Sequence, residues 1–294
     1  MELNYPNLAI LLMMTVIGAT SEAPRVKRLS SAEFKGDATL ELAKYVVSIR
    51  SRTPQTFFGD NHFCGGGLLS RRWVLTAAHC VMNQLKVIYM PRMLLVVSGT
   101  PHRLRFVKDR TVCSPVKSVH VPKNFIMYNT MNMALICLKH KLPLDNPNIG
   151  YLLLPLTPPQ MGVTYSVLGW GRMYSEGPLS SEILQLEVAL MDTKKCLSHF
   201  KYFRPGMLCA GKDNSTIDAD PCSGDIGAPV IWNGVVVGIV SYPLGCGSDI
   251  LPSIYTDVHS GLKWITETAY ASLAEGLRPL LVMVLSSLGV LLTL

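Results

Sequence analysis

Residues 73–80 read Trp73-Val74-Leu75-Thr76-Ala77-Ala78-His79-Cys80, a four-residue apolar run that gives way to small residues, a histidine and a cysteine. A run of four is too short for a helix and reads as a strand. Similar runs recur at 45–49, Leu94–Ser98, 116–121, 133–138, 165–168, 235–240 and 254–258, each bounded by Gly, Pro, Asn or Asp. Short strands punctuated by turn formers predict an all-β sandwich or barrel over residues 45–270. No repeat of fixed period is present. One helical pattern is clear, with Ser260-Gly261 opening Leu262, Ile265, Thr266 and Ala269 at helical spacing as a short terminal helix. Residues 21–44 are polar and aperiodic, and are expected to form a pro-segment or linker.

The chain of 294 residues can bury a sizeable core. Its 49% hydrophobic content is raised by both ends, so it does not imply a multi-span membrane protein. Residues 8–17 are apolar and precede Gly18-Ala19-Thr20-Ser21, which predicts a secretory signal over residues 1–20, although no Lys or Arg precedes the apolar core. Residues 280–294 carry no charge, and as a helix they would be roughly 22 Å long, short of the ~30 Å hydrocarbon core. Small residues lie upstream, among them Ala269, Ala271, Ser272 and Gly276. That pattern predicts a removable lipid-anchor (GPI-type) signal over 271–294, with a short transmembrane anchor from near Leu277 as the alternative. Either one puts the protein on a cell surface.

Eight cysteines in such a chain imply disulfides, and neither a C-x-x-C pair nor a zinc-like His/Cys spacing occurs. The net charge of +7 is spread out apart from Arg25-Val26-Lys27-Arg28. Acidic polymers such as sulfated glycans are therefore conceivable ligands, while no nucleic-acid module is visible. Asn214-Ser215-Thr216 is a glycosylation sequon in a polar stretch.

With the strands placed, several short words resemble the trypsin/chymotrypsin-type serine protease family. Trp73–Cys80 is similar to its histidine segment, and Cys64-Gly65-Gly66-Gly67-Leu68-Leu69 to the strand before it. Gly169-Trp170-Gly171, Met207-Leu208-Cys209-Ala210-Gly211, Pro252-Ser253-Ile254-Tyr255-Thr256 and Trp264-Ile265 resemble later landmarks in the same order. The resemblance implies two six-stranded antiparallel β-barrels with the site between them. It needs no cofactor.

That family's chemistry uses a serine nucleophile, a histidine base and an acid that orients the histidine. By resemblance His79 is the base, Asn132 in Met131-Asn132-Met133-Ala134-Leu135 stands at the acid's position, and Ile226 stands at the serine's position in Gly224-Asp225-Ile226-Gly227-Ala228-Pro229. Isoleucine has no lone pair with which to attack. In serine proteases, losing the nucleophile costs about 10⁶ in turnover, and replacing the acid by its amide costs about 10⁴. The two losses do not multiply, because the triad acts as a unit. Ser223 lies three residues from the nucleophile's position, with no base in reach.

The cleft is expected to be impaired. Asp220 stands where trypsin-like members attract Lys or Arg, alongside Gly224. Pro243 in Ser241-Tyr242-Pro243 replaces a glycine and brings no N–H, and Ser253 adds bulk where the pocket wall has glycine. The family's activated terminus, whose amine pairs with the acid before the serine, here Asp225, has no counterpart. Counting back by the family spacing reaches Ala32, and cleavage after Arg28 would expose Leu29 in the wrong context. The resemblance also implies the bridges Cys64–Cys80, Cys196–Cys209 and Cys222–Cys246. Cys113 and Cys137 remain, on runs that the family fold places side by side, so a cross-strand bridge Cys113–Cys137 is expected. The loop 84–99 holds no acid for calcium, and no metal site is expected. Three functions fit: a surface pseudoprotease that binds an active protease, an inhibitor or an uncleaved substrate; an unorthodox hydrolase; or an adhesion protein that binds glycans.

Overall fold

The computed structural model describes residues 36–211, 220–244 and 251–269. Among these, twelve strands close into two six-stranded antiparallel barrels, as the resemblance implied. The first contains β1 (Val46–Ser51), β2 (His62–Leu68), β3 (Trp73–Thr76), β4 (Leu94–Ser98), β5 (Val112–His120) and β6 (Ala134–Leu138). Around its ring the order is β1-β2-β3-β6-β5-β4. The second contains β7 (Thr164–Gly169), β8 (Leu184–Leu190), β9 (Met207–Gly211), β10 (Pro229–Trp232), β11 (Val235–Tyr242) and β12 (Ser253–Asp257), in the order β10-β11-β12-β9-β8-β7.

Each barrel has an aliphatic interior. Val47, Ile49, Leu68, Val74 and Ile136 are fully buried in the first, and Val167, Leu186, Val230 and Val240 in the second. Burying one such side chain contributes about 1.5–3 kcal/mol, which explains how four-residue strands such as β3 hold their place. The signal peptide, the anchor tail and Asn214 expected from the sequence all lie outside the described residues. Within the described residues, no helix is long and apolar enough to cross a membrane.

The stretch expected to be a linker contains a helix, α1 (Asp37–Ala43). Its Thr39 is buried, and the hydroxyl donates to Gln185 Oε1 at 3.2 Å. That partner lies 146 residues away, so a local reading had no signal for it. A second short helix, α2 (Thr193–His199), is capped by Asp192, whose carboxylate accepts from the Lys195 N–H. The expected terminal helix covers 262–269.

One cation ties the barrels together and a second braces it. Arg103, buried in the β4–β5 connection, donates to Gly59 O at 2.5 Å in the first barrel and to Ser180 O at 2.9 Å in the second. Arg50 donates to Arg103 O at 3.0 Å and to Ser48 Oγ at 2.8 Å, and burial lowers its pKa to about 10.

Cys64–Cys80 and Cys196–Cys209 are disulfides, as expected. Cys222 is bonded too, but its expected partner Cys246 lies outside the described residues. The expected Cys113–Cys137 bridge is absent, and both thiols are free. The strands are indeed antiparallel neighbours, yet Cys137 pairs with Ser118, while Cys113 sits farther back on β5 opposite Val97 of β4. Five residues of strand separate Cys113 from Ser118, about 16 Å at ~3.3 Å per residue, whereas a disulfide needs Cα atoms within about 7 Å.

Candidate active site

Strand β3 ends at Thr76 and delivers Ala78–Cys80 into one 3₁₀ turn, so that His79 emerges between the barrels. The Cys64–Cys80 bridge fixes this turn to β2. Opposite lies Asn132, fully buried just ahead of β6. Its Oδ1 accepts from the His79 backbone N–H at 3.2 Å. Its Nδ2 lies 2.7 Å from His79 Nδ1 and 2.6 Å from Ser241 Oγ. Asn132 Oδ1 also lies 3.1 Å from His79 Nδ1, so the neutral amide meets that nitrogen with both its oxygen and its nitrogen and, unlike a carboxylate, does not fix the imidazole tautomer. The Thr256 hydroxyl, which donates to Asn132 O at 3.1 Å, and Ser241 complete the cage.

Tyr242 stacks on His79 with ring centroids 5.4 Å apart and planes 11° from parallel. Its hydroxyl accepts from the Tyr128 N–H at 2.7 Å, and burial pushes its pKa up to about 12, so it stays neutral. Burial likewise lowers the pKa of His79, with the Asn132 hydrogen bond opposing.

The loop from Asp220 to Pro229 lies across the cleft. Gly224 and Gly227 have φ of 100° and 84°, and a Cβ on Gly227 would run into Thr76 Oγ1 and Gly65 O. The Ile226 carbonyl accepts from the Gly65 N–H at 2.7 Å and lies 3.6 Å from Cys80 Sγ, which places Ile226 beside the histidine turn. The N–H groups of Gly224 and Ile226 donate to nothing among the described residues. Asp225 is fully buried, accepting from the Gly171 N–H at 2.8 Å and the Cys222 N–H at 2.9 Å. Leu29 and Ala32, the positions weighed for a cleaved terminus, lie outside the described residues.

A hydrogen-bond chain supports this loop from the first barrel. Arg50 donates to Ser48, Ser48 pairs with His62 Nδ1 at 2.8 Å, and His62 Nε2 donates to Gly224 O at 3.0 Å. Sequence reading passed over Ser48 and His62, and also the Ser241–Thr256 cage. The available signal was their place inside the recognised words, next to Cys64 and Tyr255.

Asp220, Ser253 and Tyr255 are all buried, and the charges of Asp220 and Asp225 add to burial in raising the Tyr255 phenol pKa. Ser253 Oγ and Tyr255 Oη have no hydrogen-bond partner among the described residues. Strand β11 stops at Tyr242, where the Leu244 N–H folds back onto Tyr242 O at 3.0 Å, so Pro243 turns away instead of extending an edge. Pro243, Ile226, Ser223 and Arg172 border an open hollow of about 390 Å³. Among the described residues, no three His, Cys, Asp or Glu side chains converge to hold a metal ion.

The family model named Trypsin matches residues 36–265. The chain belongs to the trypsin family. Among curated proteins, this trypsin-family chain is 32% identical to Trypsin I-P1 of Gallus gallus over 77% of its own length and 84% of that protein's. It is 30% identical to Serine protease 1 of Homo sapiens, over 72% and 81%. It is 32% identical to Trypsin eta of Drosophila erecta, over 87% and 95%. The match begins at Gly36, so it takes in α1 as part of the fold.

Proposed function

We propose that this trypsin-family chain binds peptide or protein partners without hydrolysing them. The observation that carries the reading is Ile226: the loop that would present a nucleophile is formed, with its two amides unengaged, and the side chain it presents is a hydrocarbon. The uncharged Asn132 amide beside His79 Nδ1, where a carboxylate would orient the ring, supports the same reading from the opposite side. The attacking group is missing and His79 lacks a carboxylate to orient it, so the acyl-transfer route has no first step. What such a site retains is binding capacity: the Gly224 and Ile226 amides can receive a carbonyl, and the buried Asp220 would attract a basic side chain. The partner would be an active protease, an inhibitor or an uncleaved substrate.

The two disulfides and the bonded Cys222 fit an extracellular protein. Secretion through residues 1–20, a lipid anchor from 271–294 and a glycan on Asn214 complete the proposal. Release of the protein from cells by a phosphatidylinositol-specific phospholipase tests the anchor.

The decisive experiment treats the purified ectodomain with a fluorophosphonate probe beside active trypsin. The expected result is no label on this chain; specific covalent labelling would overturn the proposal. The double reversal Ile226→Ser with Asn132→Asp is expected to leave peptide hydrolysis far below trypsin, because Pro243 still interrupts the strand edge that would pair with a substrate.

A further inference from the structure

Charge is divided very unevenly along the chain. Residues 61–144 contain twelve Lys and Arg against a single acid, Asp109, while the rest of the chain holds fifteen basic and nineteen acidic residues. The stagger of the first barrel gathers seven of its cations into one strip. The Arg52 N–H donates to Met93 O, which brings Arg52 beside Arg92. Lys117 follows Val116, which pairs with Leu138. Lys139 donates its N–H to Pro115 O and accepts on its own carbonyl from Arg72 Nη2 at 3.3 Å. Arg71 Nε donates to Leu142 O at 2.6 Å, which draws in Lys141. Five neighbouring chain segments at ~4.8 Å spacing make a strip about 19 Å long.

None of these seven cations forms an ion pair among the described residues. Arg72 Nε is buried without a hydrogen-bond partner there. Asp60, an acid close in sequence to Arg52, has its carboxylate engaged by the N–H groups of Gln55, Thr56 and Phe57. Like charges held together without counterions repel one another, and an external polyanion relieves that cost.

We infer that the strip Arg52–Arg92–Lys117–Lys139–Arg72–Arg71–Lys141 is a binding site for a sulfated glycan. The disulfides put the protein outside the cell, where nucleic acid is not the resident polyanion. The strongly anionic lipid leaflet faces the cytoplasm, which disfavours a membrane surface as the occupant. A sulfated chain repeats its charges along a line, as the strip does. The site lies in the first barrel alone and is independent of whether the cleft hydrolyses peptides.

Heparin is the probe, used with the full secreted chain at about 0.15 M salt. The chain is expected to bind heparin and not its desulfated form. The variant Lys117→Glu/Lys139→Glu/Lys141→Glu is expected to bind at least about tenfold more weakly. The control Lys194→Glu/Lys201→Glu/Arg204→Glu removes the same charge from the second barrel and should stay within about twofold. Equal losses in both variants would assign binding to net charge and overturn the site. Tighter binding to phosphatidylserine vesicles than to heparin would overturn the ligand class. If the glutamate variant fails to fold, glutamine at the same three positions gives the same test without charge reversal.

Discussion

The two faces of the cleft depart from an active trypsin-like arrangement in opposite ways. The His79 face keeps the imidazole and rewires what holds it, with Asn132, Ser241 and Thr256 closing a satisfied cage. The facing loop has its backbone set by Gly224, Asp225 and Gly227, and on the proposed reading Ile226 fills the reactive place. The difference teaches where the fold exerts control. Backbone packed against Gly65, Thr76 and Gly171 is fixed by burial, whereas a side-chain tip facing the cleft can change at little cost to folding.

The comparison breaks most severely at Gly227. Gly227→Val combines an unfavourable φ with a collision against Thr76 and Gly65, so a loss of about 3 kcal/mol or more is expected in urea unfolding. Removing the Cys64–Cys80 bridge with paired alanines should cost about 2–4 kcal/mol, measured in the same way, because it frees the turn carrying His79. The His79 cage makes a pH prediction. Burial holds the folded imidazole below its ordinary pKa, so the unfolded chain binds the proton more tightly. The stability from this site is complete above the unfolded pKa of about 6.5 and is lost as pH falls through it. His79→Gln should flatten that slope in melting curves taken between about pH 7 and 5. Asn132→Asp should move the His79 titration upward, followed by the ring-proton NMR shift, because a carboxylate favours imidazolium. The smallest effect is expected at Cys113→Ser, within about 0.5 kcal/mol, since that exposed thiol bridges nothing.

Much of the scaffold was readable in the sequence. Trp73–Thr76 and Leu94–Ser98 occur with the bounds their apolar runs suggested, because Gly, Pro and Asn fence them in locally. Leu184–Leu190, with Gln, Glu and Ala among its leucines, reads equally well as helix, and its full-length pairing with β7 makes it a strand. The Cys113–Cys137 expectation failed on register. A shift between Val116 and Ser118 divides β5 between two partners, and no composition reveals where such a division falls. At the site, the words around His79 and Asn132 pointed to two residues that the structure brings into contact. The polar cage was not legible, because Ser241 and Thr256 reach Asn132 only after both barrels have closed.

Arg103 carries a last consequence. One guanidinium clasps a carbonyl of each barrel, so the halves of the molecule cannot drift apart by small degrees. To part them, the charge-assisted bonds from Arg103 to Ser180 O and Leu179 O must break, uncovering a buried cation. The groove between the halves is therefore braced from within, and whatever docks there meets a rigid mould.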